Sequence, residues 1–264
     1  MAVTEETTQP GADEAPEMLD EARRLIDLAR ERDIVLRLLG GLAIRLLTPD
    51  LPPRIRVGQD LDFGSVKSSR KPLMGMLEEQ GYVGDRNFNA LYGDKQLYFA
   101  HGEHGHAVDV MVDRLHMCHT VAFAQRATVL PYTLSPVDLL LSKLQIIELN
   151  EKDLDDCLRL LVSFDVSESG DGRGDVIDGR VIADLVGDDW GWWKTISLNL
   201  ERIEAALAGG VPATVTGGRL DPRAGVQTLS HILQDTPKSR RWKLRDRIGE
   251  RKRWYELPEE TPHH

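Results

Sequence analysis

From about Met18 to Arg32 the apolar residues Leu19, Leu25, Ile26 and Leu28 fall at helical spacing, which predicts an amphipathic helix. Ile34 to Leu39 is a short continuous apolar run, the pattern of a buried strand; Gly40-Gly41 breaks it, and LAIRLL resumes as a helix. The proline-containing TPDLPPRI reads as a loop. Arg56 to Phe63 leads into a second strand, Lys71 to Gln80 is a helix ended by Gly81, and alternation predicts strands near Asn87–Tyr92, Gln96–Ala100 and Ala107–Val112. After Ser135 the pattern becomes helical. Ser135, Pro136 and Asp138 form one helix-start signature, and Asn150 with Asp153 forms another. SESGDGRGDVIDG is a loop, and Trp190, Trp192 and Trp193 are expected in a helical core rather than as a ligand platform. The whole predicts an α/β (α+β) fold: a disordered acidic tail over 1–17, an α/β domain of mixed sheet flanked by helices over 18–133, and a helical C-terminal domain over 134–264.

Composition narrows the function classes. The chain has 264 residues, 41% hydrophobic and 29% charged, enough to bury a core without metal or disulfide staples. No apolar run reaches the ~18 residues of a membrane span, and the acidic N-terminus lacks the features of a signal peptide. Two cysteines, Cys118 and Cys157, make no disulfide framework. These features predict a cytoplasmic protein with no membrane partner. A formal net charge of −10 argues against indiscriminate coating of nucleic acid. The charge is uneven, however: residues 238–253 carry nine cations against Asp246 and Glu250, leaving −17 on the rest. That basic terminal helix is either a solvated, ion-paired surface or a face for an acidic or nucleic-acid partner.

The candidate chemistry lies in carboxylates. In Asp60-Leu61-Asp62-Phe63 a strand would put both acids on one face and Leu61 and Phe63 in the core. Adjacent like charges repel, and a divalent cation would turn that repulsion into binding through hard oxygen ligands. In His106–Asp113, Val108, Val110 and Val112 share one face, while Asp109 sits mid-strand on the other, where a carboxylate is costly unless something binds it. Asp113, beside Arg114, reads as a surface residue. Asp60, Asp62 and Asp109 together would suit one or two Mg²⁺ ions, the device of in-line phosphoryl displacement. On the helix after Ser135, Lys143 falls between Leu139 and Ile147 on the apolar stripe, where it must snorkel or meet an anion. In the next helix Asp153 lies at the edge of the apolar face, with Asp155 and Asp156 outside it. Gly40-Gly41 at a strand-to-helix junction is compatible with a backbone cradle for phosphates.

Taken in order, the apolar strand, Gly40-Gly41, Asp60-Leu61-Asp62-Phe63, Asp109, SPVDLLLSKLQ and Lys152-Asp153-Leu154-Asp155-Asp156 resemble the nucleotidyltransferases of the DNA polymerase β superfamily. Within it they are most similar to abortive-infection (AbiEii-like) toxins. The resemblance covers roughly Ile34 to Val162. It implies a nucleotidyltransferase-like fold and Mg²⁺-dependent transfer of a nucleoside monophosphate from an NTP, with Asp60, Asp62 and Asp109 as metal ligands. It further implies that Lys143 holds the phosphates, that Asp153 belongs to the later acidic motif, and that Gly40, Gly41 and Arg56 bind nucleotide. A tRNA end, a protein hydroxyl or a small molecule are the implied acceptors, and a cognate antitoxin the implied partner. The 18 residues between Gly41 and Asp60 make LTPDLPPRIRVGQ an insertion, and Gly58 stands where the toxins often carry threonine. A non-catalytic nucleotide-binding or partner-binding module of the same fold is the alternative; its mark would be a broken acidic set, and all three acids are present. A histidine site for zinc at His101, His104 and His106, with His116 and His119 nearby, lacks a compact ligand spacing.

Overall fold

The computed structural model describes residues 13–54, 60–101, 106–170 and 172–257. The elements are α1 (Ala15–Glu31), β1 (Leu36–Leu38), α2 (Gly40–Leu47), β2 (Leu61–Ser65), α3 (Arg70–Glu79), β3 (Tyr82–Gly84), α4 (Arg86–Tyr92), β4 (Gln96–His101) and β5 (Val108–Val112). A small hairpin follows, β6 (Arg114–His116) and β7 (Thr120–Ala122), and then α5 (Pro136–Leu144) and α6 (Glu151–Ser163). Last come the short pair β8 (Val166–Ser167) and β9 (Ile177–Asp178), α7 (Gly179–Asp188), α8 (Trp190–Leu207), α9 (Pro222–Asp235) and α10 (Arg240–Asp246). The fold is therefore mixed α/β with a helical C-terminal half, as the pattern predicts.

Five strands form one mixed sheet in the order β1-β2-β5-β4-β3. Only β2 and β5 run parallel; the other neighbours are antiparallel. Alternation sorts the strands' side chains. Leu61, Phe63, Val108, Val110, Val112, Leu97 and Phe99 are buried, whereas Asp62, Asp109 and Met111 are only half-buried. Gly64 leaves room on the sheet for Phe123 and Leu134, because an added Cβ would meet both at 3.2 Å. The hydrophobic core is continuous from α1 through α9. Trp190 and Trp192 are buried and Trp193 partly so. The sheet and the helical half are joined where Leu134 N–H donates to Leu38 C=O at 3.0 Å.

Several expectations need correction. Ala15–Glu17, assigned to the tail, already belong to α1, with Pro16 in its first turn; residues 1–12 lie outside the described residues. Asn87–Tyr92, expected as a strand, is the helix α4, because Asp85 caps it by accepting from Phe88 N–H at 2.9 Å. The short strands β3, β6, β7, β8 and β9 are not foreseen, and the last two take Ser167, Ile177 and Asp178 out of the expected loop SESGDGRGDVIDG into a parallel pair. Asp113 is not merely a surface acid. It adopts a left-handed φ of 63° at the turn from β5 into β6, and its carboxylate accepts from Lys67 N–H at 2.9 Å.

The helix-start signatures hold. Ser135 caps α5 and Asn150 caps α6. An unforeseen ion pair also fixes the start of α5. Asp138, 1% exposed, accepts from Ser135 Oγ at 2.5 Å and from Arg126 Nε at 3.1 Å, with a closer contact to Arg126 Nη2. Burial holds the Asp138 carboxyl above its ordinary range despite the guanidinium. Arg126→Ala strands that carboxylate and is expected to cost ~3 kcal/mol. Urea unfolding checks this, with the double change Arg126→Ala/Asp138→Ala recovering part of the loss.

Candidate active site

The two strands that run parallel set Asp62 directly beside Asp109 in the ladder. Asp62 N–H and C=O are strand backbone, and Leu39 N–H donates to Asp62 C=O at 2.8 Å, so the antiparallel β1–β2 pair brings the end of β1 alongside. The next residue, Gly40, has φ +68°, and a Cβ there would lie 2.7 Å from Asp62 Oδ2. A residue with a side chain would both strain the backbone and push the carboxylate away, which explains glycine at this step. Gly40 and Gly41 open α2 immediately, two residues earlier than the break-then-helix reading has it.

Asp109 is held by Gln96, whose Nε2 donates to both carboxylate oxygens at 2.9 and 2.8 Å. Burial pushes its carboxyl up to about 6; the Gln96 hydrogen bond opposes this and the nearby Asp60 charge adds to it. Asp60 itself is exposed, one residue before β2. Tyr98 faces Asp109 in register, and burial together with Asp60 and Asp109 raises its phenol. Among the described residues, no three His, Cys, Asp or Glu side chains converge tightly enough to enclose a metal. The arrangement is a carboxylate pair with a third acid at its solvent edge.

Lys143 does not snorkel. It meets two anions, Asp153 Oδ1 at 2.8 Å and Asp156 Oδ2 at 3.0 Å. Burial alone would lower its ammonium, but Asp156 and Asp153 hold it above the ordinary value. Asp156, placed outside the apolar face by the helical wheel, is 2% exposed because it bridges Lys143 and Arg54, the latter at 2.7 Å. Arg54 also reaches Asp155 at 3.3 Å, and Arg159 reaches the same carboxylate at 2.7 Å. α5 ends at Leu144, so Ile146 and Ile147 do not extend its apolar stripe. The two clusters approach each other at the glycines. Gly40 abuts Asp62, and Gly41 lines a narrow crevice with Arg45, Arg54, Asp156 and Arg159.

Of the remaining candidates, Arg56 and His104 lie outside the described residues, as does the side chain of His101. His116 and His119 have separate partners. His116 pairs with Glu256 at 2.9 Å, while His119 is buried against Trp192, hydrogen-bonded to Thr195, and pushed down to about 4 by burial. Arg54 and Gln96 escaped the sequence reading. Arg54 sits in an aperiodic proline loop, and Gln96 gains its meaning only from lying beside Asp109 across β4 and β5.

No family model matches the chain, and no curated protein matches it. Solved structures do. The lincosamide antibiotic adenylyltransferase LnuA, with lincomycin bound, is 18% identical at a TM-score of 0.40, over 53% of this chain and 94% of that one. ANT(2")-Ia in complex with adenylyl-2"-tobramycin is 14% identical at a TM-score of 0.39, over 56% of this chain and 89% of that one. An antigenic nucleotidyltransferase-like protein from Paracoccidioides brasiliensis is 14% identical at a TM-score of 0.41, over 85% of this chain and 95% of that one. Among the described residues, no helix is long and apolar enough to cross a membrane.

Two outcomes follow from the electrostatics. Because the folded state binds the Asp109 proton more tightly than the unfolded state, stability is lost as pH rises from 3.8 through about 6. Urea titrations across that window are expected to show this fall in the parent protein and a smaller one in Asp109→Asn, where the raised carboxyl of Asp138 remains. Lys143→Met, which leaves Asp153 without its cation, is expected to cost ~3 kcal/mol in the same measurement.

Proposed function

We propose that this chain transfers a nucleoside monophosphate from an NTP to an acceptor hydroxyl and releases pyrophosphate, in a Mg²⁺-dependent reaction. The observation that carries this reading is the register of Asp62 with Asp109, beside a Gly40 that admits no side chain. The donor set fits the ion: Mg²⁺ prefers oxygen ligands and is commonly held by one or two carboxylates, with water and substrate phosphates completing its shell. Asp62 and Asp109 would hold it, with Asp60 at the exposed edge. When bound, the cation supplies charge neutralisation and polarisation at the α-phosphate.

The protein's own groups supply the rest. Gly40 and Gly41 expose backbone at the start of α2 for phosphate oxygens. Arg54, which lines the crevice beside Gly41, and Lys143 would donate N–H groups to the same phosphates, with Asp153 and Asp156 fixing where those donors stand. Asp109, oriented by Gln96, accepts the proton of the acceptor hydroxyl. A tRNA end, a protein hydroxyl or a small molecule fits this chemistry equally well. A toxin-like role with a cognate antitoxin comes from the motif resemblance.

The test is thermal melting with and without Mg²⁺, beside an assay of pyrophosphate released from each NTP. Mg²⁺ is expected to raise the melting temperature of the parent protein, because a ligand bound only by the native state stabilises it. Asp62→Asn is expected to abolish that rise and the pyrophosphate release while the protein still folds. Full activity in Asp62→Asn, or a protein that no longer folds, would sink the proposal and make the pair structural.

A further inference from the structure

The basic segment at 238–253 is packed in an unusual way. Its apolar anchor, Trp242, is buried against α8, with its ring 5.3 Å from Trp193. Both of its acids turn back toward the protein body. Asp246 Oδ1 accepts from Trp190 Nε1 at 2.7 Å, and Glu250 pairs with Lys194 at 2.6 Å. Arg245 turns inward too, lying over the Trp190 ring at 4.6 Å and donating to Gly249 C=O at 2.6 Å. The outward face is left to cations.

Arg240, Lys243 and Arg247 are exposed and fall within about 60° of one another at 100° per residue, so they line one face of α10 and its C-cap. Arg251, Lys252 and Arg253 continue the exposed basic run. Among the described residues, none of these six cations has a carboxylate partner. A +7 segment on a chain that otherwise carries −17 is a sharply bounded electropositive island. Among the described residues, Arg241, which reaches Asp188 at 3.8 Å, is the exposed cation of α10 that meets a carboxylate; a helix stabilised by ion pairs would have spent the others in the same way.

We infer that this face is a docking surface for RNA. Six of the nine cations are arginine, whose planar fork pairs with phosphate oxygens and stacks on bases. Aromatic and apolar surface lies directly beside them. A cavity of about 890 Å³ is lined in part by Leu244, Ile248 and the half-buried Trp254 and Tyr255, and Leu244 is 61% exposed; Asp184, Asp188, Asp189 and Glu256 also line it, so the RNA backbone would follow the outer cations of α10 rather than the cavity wall. Arg253 already stacks over the Tyr255 ring at 4.8 Å. Cations for a backbone and aromatic faces for unpaired bases are the two components of single-strand binding. An acidic polypeptide would use the charges but has no bases to place on the rings. The inference does not depend on nucleotidyl transfer, and it is tested without NTP or Mg²⁺.

The experiment is fluorescence anisotropy of the full chain with a labelled oligouridylate of about 20 nucleotides, repeated between about 50 and 200 mM KCl. Binding is expected to weaken steeply with salt. Arg240→Gln/Lys243→Gln/Arg247→Gln is expected to flatten the slope of log K against log salt by about 2, at ~0.7 per lost phosphate contact. Arg240→Glu/Lys243→Glu/Arg247→Glu is expected to weaken binding by at least about tenfold at the lowest salt. These three positions are exposed, and an unchanged melting temperature confirms that the fold survives in each variant. No binding by the parent protein, or binding by both variants equal to the parent's, overturns the inference. So does displacement of the RNA by polyglutamate at equal charge concentration, which would assign the face to an acidic protein instead.

Discussion

The parallel pairing of Leu61–Ser65 with Val108–Val112 is the constraint on which the rest of the site depends. A parallel pair requires a long crossover, here supplied by α3, β3, α4 and β4. Once made, it forces residues of equal register onto the same face, so that burying Val108 and Val110 puts Asp109 beside Asp62. A shift of one residue in either strand would turn that strand's carboxylate into the core and expose the apolar residues that flank it. The hydrophobic pattern therefore sets the two acids side by side, and burial with the nearby Asp60 charge raises the carboxyl of Asp109.

A second arrangement works in the opposite sense. Around Lys143 the charges compensate one another, with Asp153, Asp155 and Asp156 meeting Lys143, Arg54 and Arg159. Arg54 and Arg159 also fasten the proline loop, since Arg159 donates to Pro52 C=O at 2.9 Å and Arg54 to Lys152 C=O at 3.1 Å. This network is rigid and largely buried, whereas the Asp60 end of the carboxylate pair opens to solvent. The two approach each other at the glycines of α2, with Gly40 beside Asp62 and Gly41 beside Arg54 and Asp156.

How much of this was legible in the sequence follows from which signals are local. Caps are local, and Ser135 and Asn150 are read correctly from a few residues each. Alternation in Val108–Val112 is local too, and it places Asp109 on the right face. The helix at Arg86–Tyr92 was misread because Phe88, Ala90 and Tyr92 alternate like a strand, while Asp85 at its cap outweighs that pattern. The burial of Asp156 and the partnership of Gln96 with Asp109 come from elements distant in sequence, and no period within either segment encodes them. Lys143 is the intermediate case. Its position among leucines said that an anion must be near, but not that the anions would come from the chain itself.

All five tryptophans of the chain, Trp190, Trp192, Trp193, Trp242 and Trp254, fall in the C-terminal half, and several pack against one another, tilted or edge to face, around α8 and the basic segment. The sheet that carries Asp62 and Asp109 contains no indole. Intrinsic fluorescence is thus an optical window on one side of the molecule only, while circular dichroism averages over both. Comparing the two unfolding profiles measures directly how strongly the Leu38–Leu134 junction couples the carboxylate-bearing sheet to the helices behind it, since coincident transitions are the signature of a single cooperative unit.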